Sequence, residues 1–156
     1  MRYLAIDFGK RRLGLAVSDV SSRLATPYAV RERQGTRLDV ADLLQTIKGL
    51  EVDAVVFGLP HSLQKDETAN EMLRLTRNFA TALETALRAA GQNQAIEWWD
   101  ERFSTSEALH QMRALGVSQK HGREAGGRES VDARAAANIL QGFLDHRNDR
   151  RQEEVI

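Results

Sequence analysis

The chain has no cysteine among its 156 residues, which excludes a disulfide framework and any chemistry that depends on a thiolate. It also lacks an apolar run close to the roughly 18 residues that a membrane-spanning helix requires. The first apolar stretch is interrupted early by Asp7, which is not the pattern of a secretory signal. These absences predict a protein without a membrane segment, and a cytoplasmic location is the expectation that fits them.

An excess of one charge is missing as well, since 22 basic residues balance 22 acidic ones. Proteins that bind nucleic acid generically are usually basic, so the total charge argues mildly against that role. The distribution is uneven, because residues 2–37 hold three acids beside a larger basic set: Arg2, Lys10, Arg11, Arg12, Arg23, Arg31, Arg33 and Arg37. These side chains are either ordinary solvated loop residues or a local surface that attracts phosphate.

Several catalytic motifs are also absent. The sequence contains no phosphate-binding P-loop, no dinucleotide fingerprint and no G-x-S-x-G nucleophile turn. The four histidines are scattered without the spacing of metal ligands: His61, His110, His121 and His146. Carboxylates are therefore the remaining candidates for catalytic groups.

The stretch from Tyr3 to Asp19 is the most informative part of the chain. It predicts an apolar strand that reaches Asp7, a glycine turn that carries Lys10, Arg11 and Arg12, and a second strand. A carboxylate among apolar residues is costly unless it has a partner. The pattern indicates a place that binds a metal ion and a phosphate.

The order of predicted elements indicates an α/β fold. Three hairpin strands come first and a helix follows. A buried strand, a long helix, another strand, a short helix, a polar loop and a last helix complete the chain. The predicted ranges are Arg2–Phe8, Leu13–Ser18, Leu24–Val30, a helix opening at Gly35 and closing at Gly49, Asp53–Leu59, a helix ending before Gly91, Ile96–Glu101, a helix from Ser104 or Thr105 to Leu115, a loop over Val117–Glu129 and a helix capped by Ser130. This order predicts a five-stranded mixed sheet with helices on both faces. We expect one domain over residues 1–146 and a charged, frayed tail over residues 147–156.

Three acids from distant parts of the chain are predicted to approach one point. Asp7 ends the first strand, either Asp100 or Glu101 ends the last strand, and Asp132 lies on the core side of the last helix. Each has an ordinary alternative: a turn aspartate, a surface turn, or an acid that favours a helix start. Clustered carboxylates without cysteine suit a hard cation such as Mg²⁺ or Mn²⁺.

Four segments resemble the motifs of a known family: Asp7–Asp19, Val56–Pro60, Asp100–Thr105, and Val131–Ala133 with Ala136 and Ile139–Gln141. In this order they resemble the YqgF (RuvX) family of bacterial RNase H-like nucleases. Resolution of Holliday junctions and maturation of the small-subunit ribosomal RNA precursor are ascribed to that family. The resemblance spans roughly residues 1–145.

The resemblance implies an RNase H-like fold and an acidic triad of Asp7, Glu101 and Asp132, which would be both catalytic and metal-binding. It also implies nucleic-acid contacts by five cations: Lys10, Arg11, Arg12, Arg102 and Arg128. The family often has a lysine four residues before the last acid, and here Arg128 is the nearest cation.

The activity that the resemblance implies is hydrolysis of phosphodiester bonds in RNA or DNA with two divalent cations, Mg²⁺ or Mn²⁺. A homodimer would favour cleavage of four-way junctions, whereas a monomer would favour single-stranded or precursor RNA. Two alternatives remain open. One is a non-catalytic RNA-binding factor in ribosome assembly, and the other is a nucleotide binder related to actin-like ATPases.

Overall fold

The computed structural model of the chain describes residues 1–59, 67–100 and 128–154. The described elements follow in the order β1 (Tyr3–Phe8), β2 (Arg12–Ser18), β3 (Ala25–Glu32), α1 (Thr36–Gly49), β4 (Ala54–Leu59), α2 (Glu67–Ala89), β5 (Ala95–Asp100) and α3 (Arg128–Glu154). The short helix predicted to end at Leu115 and the polar loop after it, up to residue 127, lie outside the described residues.

The five strands form one mixed sheet in the order β3-β2-β1-β4-β5. The first three strands are antiparallel neighbours, whereas β1, β4 and β5 run parallel. Short turns suffice to join antiparallel neighbours, while parallel neighbours need a crossover, which α1 and α2 supply. The predicted five-stranded mixed sheet is confirmed.

Each face of the sheet has its own apolar core, so the prediction of helices on both faces is also confirmed. Side chains of α1 and α2 pack on one face, against Leu4, Ile6 and Phe57. Helix α3 covers the other face, where Tyr3 and Ala5 are buried. Alternation along β1 separates the two sets, because successive side chains of a strand point to opposite faces.

Helix α3 differs from the prediction at both ends. It begins at Arg128, so the predicted cap Ser130 lies inside the helix rather than before it. It also continues to Glu154, so residues 147–154 are helical where the sequence predicts a charged, frayed tail. The tail is anchored where it leaves the core: the Arg147 guanidinium lies 5.5 Å from the centre of the Tyr3 ring, and the Asn148 side chain donates a 3.1 Å hydrogen bond to the Ser22 carbonyl.

The loop between β2 and β3 is held by one carboxylate. Asp19 Oδ1 accepts hydrogen bonds from the backbone N–H groups of Leu24 (3.0 Å) and Arg23 (2.8 Å), and Oδ2 accepts one from the Ser21 hydroxyl. These donors favour the charged carboxylate and lower the pKa of Asp19 to about 2. The hydrogen bond from the Leu24 N–H makes the largest contribution to this shift. The loop is thus stabilised by the ionised form of Asp19.

In the part of the chain that the structure describes, no helix is long and apolar enough to cross a membrane.

Candidate active site

Asp7 lies near the carboxyl end of β1, on the sheet face that α3 covers. Tyr3 and Ala5 belong to the core under α3, and strand alternation puts Asp7 on the same face. Its partner across the antiparallel β1–β2 pair is Gly14. On the other side, β4 pairs Phe57 with Ile6, so the next residue, Gly58, lies beside Asp7. A glycine therefore flanks Asp7 in both neighbouring strands.

These two glycines let α3 approach the sheet beside Asp7. A Cβ atom on Gly14 would lie 2.2 Å from the carbonyl oxygen of Asp132, and one on Gly58 would lie 2.6 Å from Cδ1 of Ile139. The backbone of α3 at Asp132 therefore rests directly on β2, one strand away from Asp7. The missing side chain of Gly14 allows this contact.

The turn between β1 and β2 carries the predicted phosphate-binding side chains. A Cβ atom on Gly9 would lie 2.7 Å from the carbonyl oxygen of Arg12, so the turn folds back closely on itself. We call residues 9–12 the basic turn. The structure places this turn at the end of β1, immediately after Asp7 and Phe8.

Asp7, Asp132 and the basic turn line a single cleft with a volume of about 340 Å³. Its lining residues are Asp7, Phe8, Gly9, Lys10, Arg11, Arg12, Gly14 and Asp132. The structure thus brings together two of the three predicted acids and three of the five predicted cations. Carboxylates beside cations can bind a hard metal ion and an anionic ligand such as a phosphate.

Two cations of the basic turn pair with acids at the rim of the cleft. Arg12 Nε lies 3.4 Å from Asp132 Oδ2, and Lys10 Nζ lies 3.3 Å from Glu71 Oε2. The side chains of the Lys10–Glu71 pair are 52% and 44% exposed. A pair this exposed contributes about 0–1 kcal/mol, so a phosphate can displace Glu71 from Lys10 at little cost.

Glu71, the ion-pair partner of Lys10, is a residue whose contact with the basic turn the sequence did not reveal. It lies near the start of α2, and its distance from Lys10 depends on how α2 docks on the sheet. No local spacing links the two residues, so only the assembled fold brings them together.

Three predicted site residues are not placed. Glu101 and Arg102 lie outside the described residues, which stop at Asp100 and resume at Arg128. Arg128 is the first residue of α3, but its side chain is not described. Within the described ranges 1–59, 67–100 and 128–154, no group of three or more acids or histidines could hold a metal ion. The roles of these three residues stay predictions.

The side-chain directions of β5 bear on the third acid. Trp99 is buried in the core under α3, while the Trp98 ring packs against Phe57 of the opposite core, 5.4 Å between centres. The predicted alternation along β5 is therefore observed at these two residues. The sequence prediction that Glu101 belongs to the set with Trp99 stays a prediction, because the described part of β5 ends at Asp100.

Comparison with known proteins gives a consistent result. The sequence model of the RuvX family, described as a Holliday junction resolvase, matches residues 1–146. A protein of Anaeromyxobacter dehalogenans (strain 2CP-C), named as a candidate pre-16S rRNA nuclease, is 42% identical over 94% of this chain and 98% of its own length. A protein of Syntrophomonas wolfei with the same name is 31% identical over 93% of this chain and 94% of its own length.

Solved structures agree on the fold. RuvC of Thermus thermophilus, in complex with a Holliday junction substrate, superposes with a TM-score of 0.54 at 20% identity, over 94% of this chain and 95% of that one. The Holliday junction resolvase of fowlpox virus superposes with a TM-score of 0.53 at 10% identity, over 94% and 99%. At such low identity these structures show the RuvC-like, RNase H-like fold alone. From the family match and its full-length relatives, the chain belongs to the RuvX family of Holliday junction resolvases.

Proposed function

We propose that the chain is a nuclease that hydrolyses phosphodiester bonds in structured nucleic acid with two divalent cations, Mg²⁺ or Mn²⁺. The observation that carries the proposal is that Asp7 and Asp132, from opposite ends of the chain, line one cleft together with the basic turn. Residues 1–146 would form the nuclease domain, and Glu101 would be the third acid of the site.

The side chains at the cleft fit a hard divalent cation. Asp7 and Asp132 offer carboxylate oxygens, which Mg²⁺ and Mn²⁺ prefer, and Glu101 would add a third carboxylate. A pair of cations, when bound, supplies an activated water and offsets the charge that develops on the leaving oxygen. The Asp132 carboxylate pairs with the Arg12 guanidinium at 3.4 Å, and a metal ion would have to share or replace this partly exposed pair.

The basic turn would hold the substrate. Lys10, Arg11 and Arg12 surround the same cleft as the two acids, so their side chains would bind the phosphates that flank the scissile bond. Arg102 and Arg128 would add further phosphate contacts. Contacts of this kind position the strand but carry no sequence information, so substrate choice would depend on the shape of the nucleic acid.

We propose precursor 16S ribosomal RNA as the substrate, processed in the cytoplasm. The supporting observation is the name of the full-length relatives at 31–42% identity. A Holliday junction is the second candidate, supported by the name of the matching family. Cleavage of a junction would require two sites related by symmetry, and therefore a homodimer.

The test is a cleavage panel with Mg²⁺ and with Mn²⁺, on precursor 16S RNA, single-stranded RNA and DNA, a flap and a four-way junction, with the oligomeric state measured in parallel. The variant Asp7→Asn should lose cleavage and keep nucleic-acid binding, because it removes a metal ligand but none of the lysine and arginine side chains that bind phosphate. The matched control is Asp19→Asn, which changes an acid of the β2–β3 loop and should cleave like wild type. Cleavage by Asp7→Asn at the wild-type rate would overturn the assignment.

The same panel separates the alternatives. Binding of RNA by the wild-type chain without cleavage under any metal condition would favour a non-catalytic assembly factor. Turnover of ATP by the isolated chain would favour the nucleotide binder.

A further inference from the structure

Arg33 directly follows β3, and its largely buried side chain contacts the basic turn rather than pointing to solvent. We propose that Arg33 is a positioning residue that fixes the basic turn relative to Asp7. This inference rests on the proposed function, because it assigns a role toward the same cleft.

Two hydrogen bonds join Arg33 to the turn. The Nη1 group of its guanidinium donates to the Gly9 carbonyl oxygen at 3.1 Å, and its backbone N–H donates to the Arg11 carbonyl oxygen at 2.8 Å. One residue therefore holds the turn at two points, on either side of Lys10. The turn cannot shift as a unit without breaking both bonds.

The guanidinium is itself held rigidly. Its Nε group donates to Asp39 Oδ2 at 2.6 Å, and the two side chains are only 15% and 5% exposed. The other Asp39 oxygen, Oδ1, accepts the Gln34 backbone N–H at 2.9 Å. Removal of one partner from a buried pair is strongly destabilising because the remaining charge is left uncompensated. Arg33 is thus anchored to the first turn of α1.

Aromatic rings complete the anchor. The guanidinium carbon lies 4.7 Å from the centre of the Phe8 ring and 5.2 Å from that of Phe79 in α2. Phe8 is the residue between Asp7 and Gly9, so Arg33 contacts both residues that follow Asp7 directly. The fork of donors and the flat stacking surface are properties of arginine that lysine does not share.

The consequence concerns alignment. Asp7 and the phosphate-binding side chains belong to one continuous segment, and Arg33 fixes its bend. We call the contacts of the Arg33 guanidinium with Gly9, Phe8 and Asp39 the clamp. Without the clamp, the basic turn could still attract phosphate through its charge, but the phosphate would no longer be held at a fixed distance from the carboxylates. A misplacement of about 1 Å can lower a rate about 100-fold.

The chain offers a matched control. Arg31 lies two residues earlier, on β3, and pairs with Asp42 of the same helix α1, at 3.3 Å between Nε and Oδ2. That pair is 41% and 50% exposed, and it lies outside the cleft lining. Arg31→Met and Arg33→Met therefore each remove a guanidinium that pairs with an acid of α1, but only the second also removes a side-chain hydrogen bond to the basic turn.

The first measurement is amide hydrogen exchange of the peptide that spans residues 7–13, followed by mass spectrometry and without any substrate. Arg33→Met should speed exchange in this peptide at least about tenfold, because local opening no longer breaks the clamp. Arg31→Met should leave it unchanged. Arg33→Lys is the second variant in case Arg33→Met does not fold. It keeps the charge beside Asp39 and should also speed exchange. Unchanged exchange in Arg33→Lys and in folded Arg33→Met would overturn the proposal.

The second measurement separates positioning from stability. With a fluorescein-labelled precursor 16S RNA fragment and Mg²⁺, the single-turnover rate at saturating enzyme should fall about 100-fold in Arg33→Met, while the Kd measured in EDTA changes less than about threefold. A purely structural role predicts a lower Tm with an unchanged rate well below that Tm, and this result would also overturn the proposal. If wild type cleaves nothing, the proposed function fails, and the exchange experiment still decides the role of Arg33.

Discussion

Gly14→Ala tests whether the contact between α3 and β2 builds the cleft. The new Cβ atom would lie 2.2 Å from the Asp132 carbonyl oxygen and 2.8 Å from its carbon. Real Cβ atoms stay beyond about 3.0 Å from such atoms, so the two backbones must separate by at least about 0.8 Å. Both atoms belong to backbone, which cannot rotate away as a side chain can.

The expected cost follows from that separation. Overpacking of this kind destabilises a core by about 1–3 kcal/mol. The shift also carries Asp132 away from Asp7 by a distance close to the 1 Å that can lower a rate about 100-fold. We therefore expect a lower free energy of unfolding in urea together with strongly reduced single-turnover cleavage in the fraction that remains folded.

Gly49→Ala is the matched control. Gly49 is the last residue of α1, and nothing lies within 4 Å of the position its Cβ would take. Alanine is favoured over glycine in a helix by about 0.5–1 kcal/mol, so this variant should be slightly more stable and cleave like wild type. Wild-type stability and cleavage in Gly14→Ala would refute the close contact of α3 with β2.

Three further predictions follow from charge. Glu71→Gln should tighten nucleic-acid binding up to about fivefold, because an exposed pair contributes up to about 1 kcal/mol and Lys10 no longer has to leave it; weaker binding in fluorescence anisotropy would contradict this. Asp19 has a folded-state pKa lowered to about 2 from 3.8, so its contribution to stability is present above about pH 4 and is lost as the pH falls toward 2. Asp19→Asn should flatten the dependence of the free energy of unfolding on pH in this range. An unchanged slope would contradict the role of ionised Asp19 in holding the β2–β3 loop. Arg11→Gln should reduce the slope of log Kd against log salt by about one phosphate contact, and an identical slope would remove Arg11 from the interface.

The succession of strands and helices along the chain and the faces on which Asp7 and Asp132 lie were predictable because they follow from local patterns. An apolar strand that ends in an acid, a glycine turn and an amphipathic stripe each describe one segment. The prediction for Asp132 used its spacing to Ala136 and Ile139 on α3, and both of these side chains are buried in the core between α3 and the sheet. The periodicity of apolar residues thus identified the face of α3 that packs on the sheet.

Other features depend on contacts between segments and were not predictable. Arg33 was one of many basic residues near the amino terminus, and its burial depends on Asp39 and two rings that meet only in the folded chain. The charged end of α3 resembles a solvated tail in composition, but Arg147 and Asn148 find partners at the start of the chain. Pairings of this kind leave no periodic signal.

Helix α3 packs on β1, β2 and β3, although it follows the five strands of the sheet in the chain. During synthesis, the face of the hairpin that carries Tyr3, Ala5 and Ala16 stays uncovered until Leu140 and Leu144 have left the ribosome. Contacts between such distant segments slow folding and prolong the exposure of apolar surface. A nascent chain truncated before α3 is therefore expected to engage chaperones, and the cleft is completed only when Asp132 of α3 has been translated.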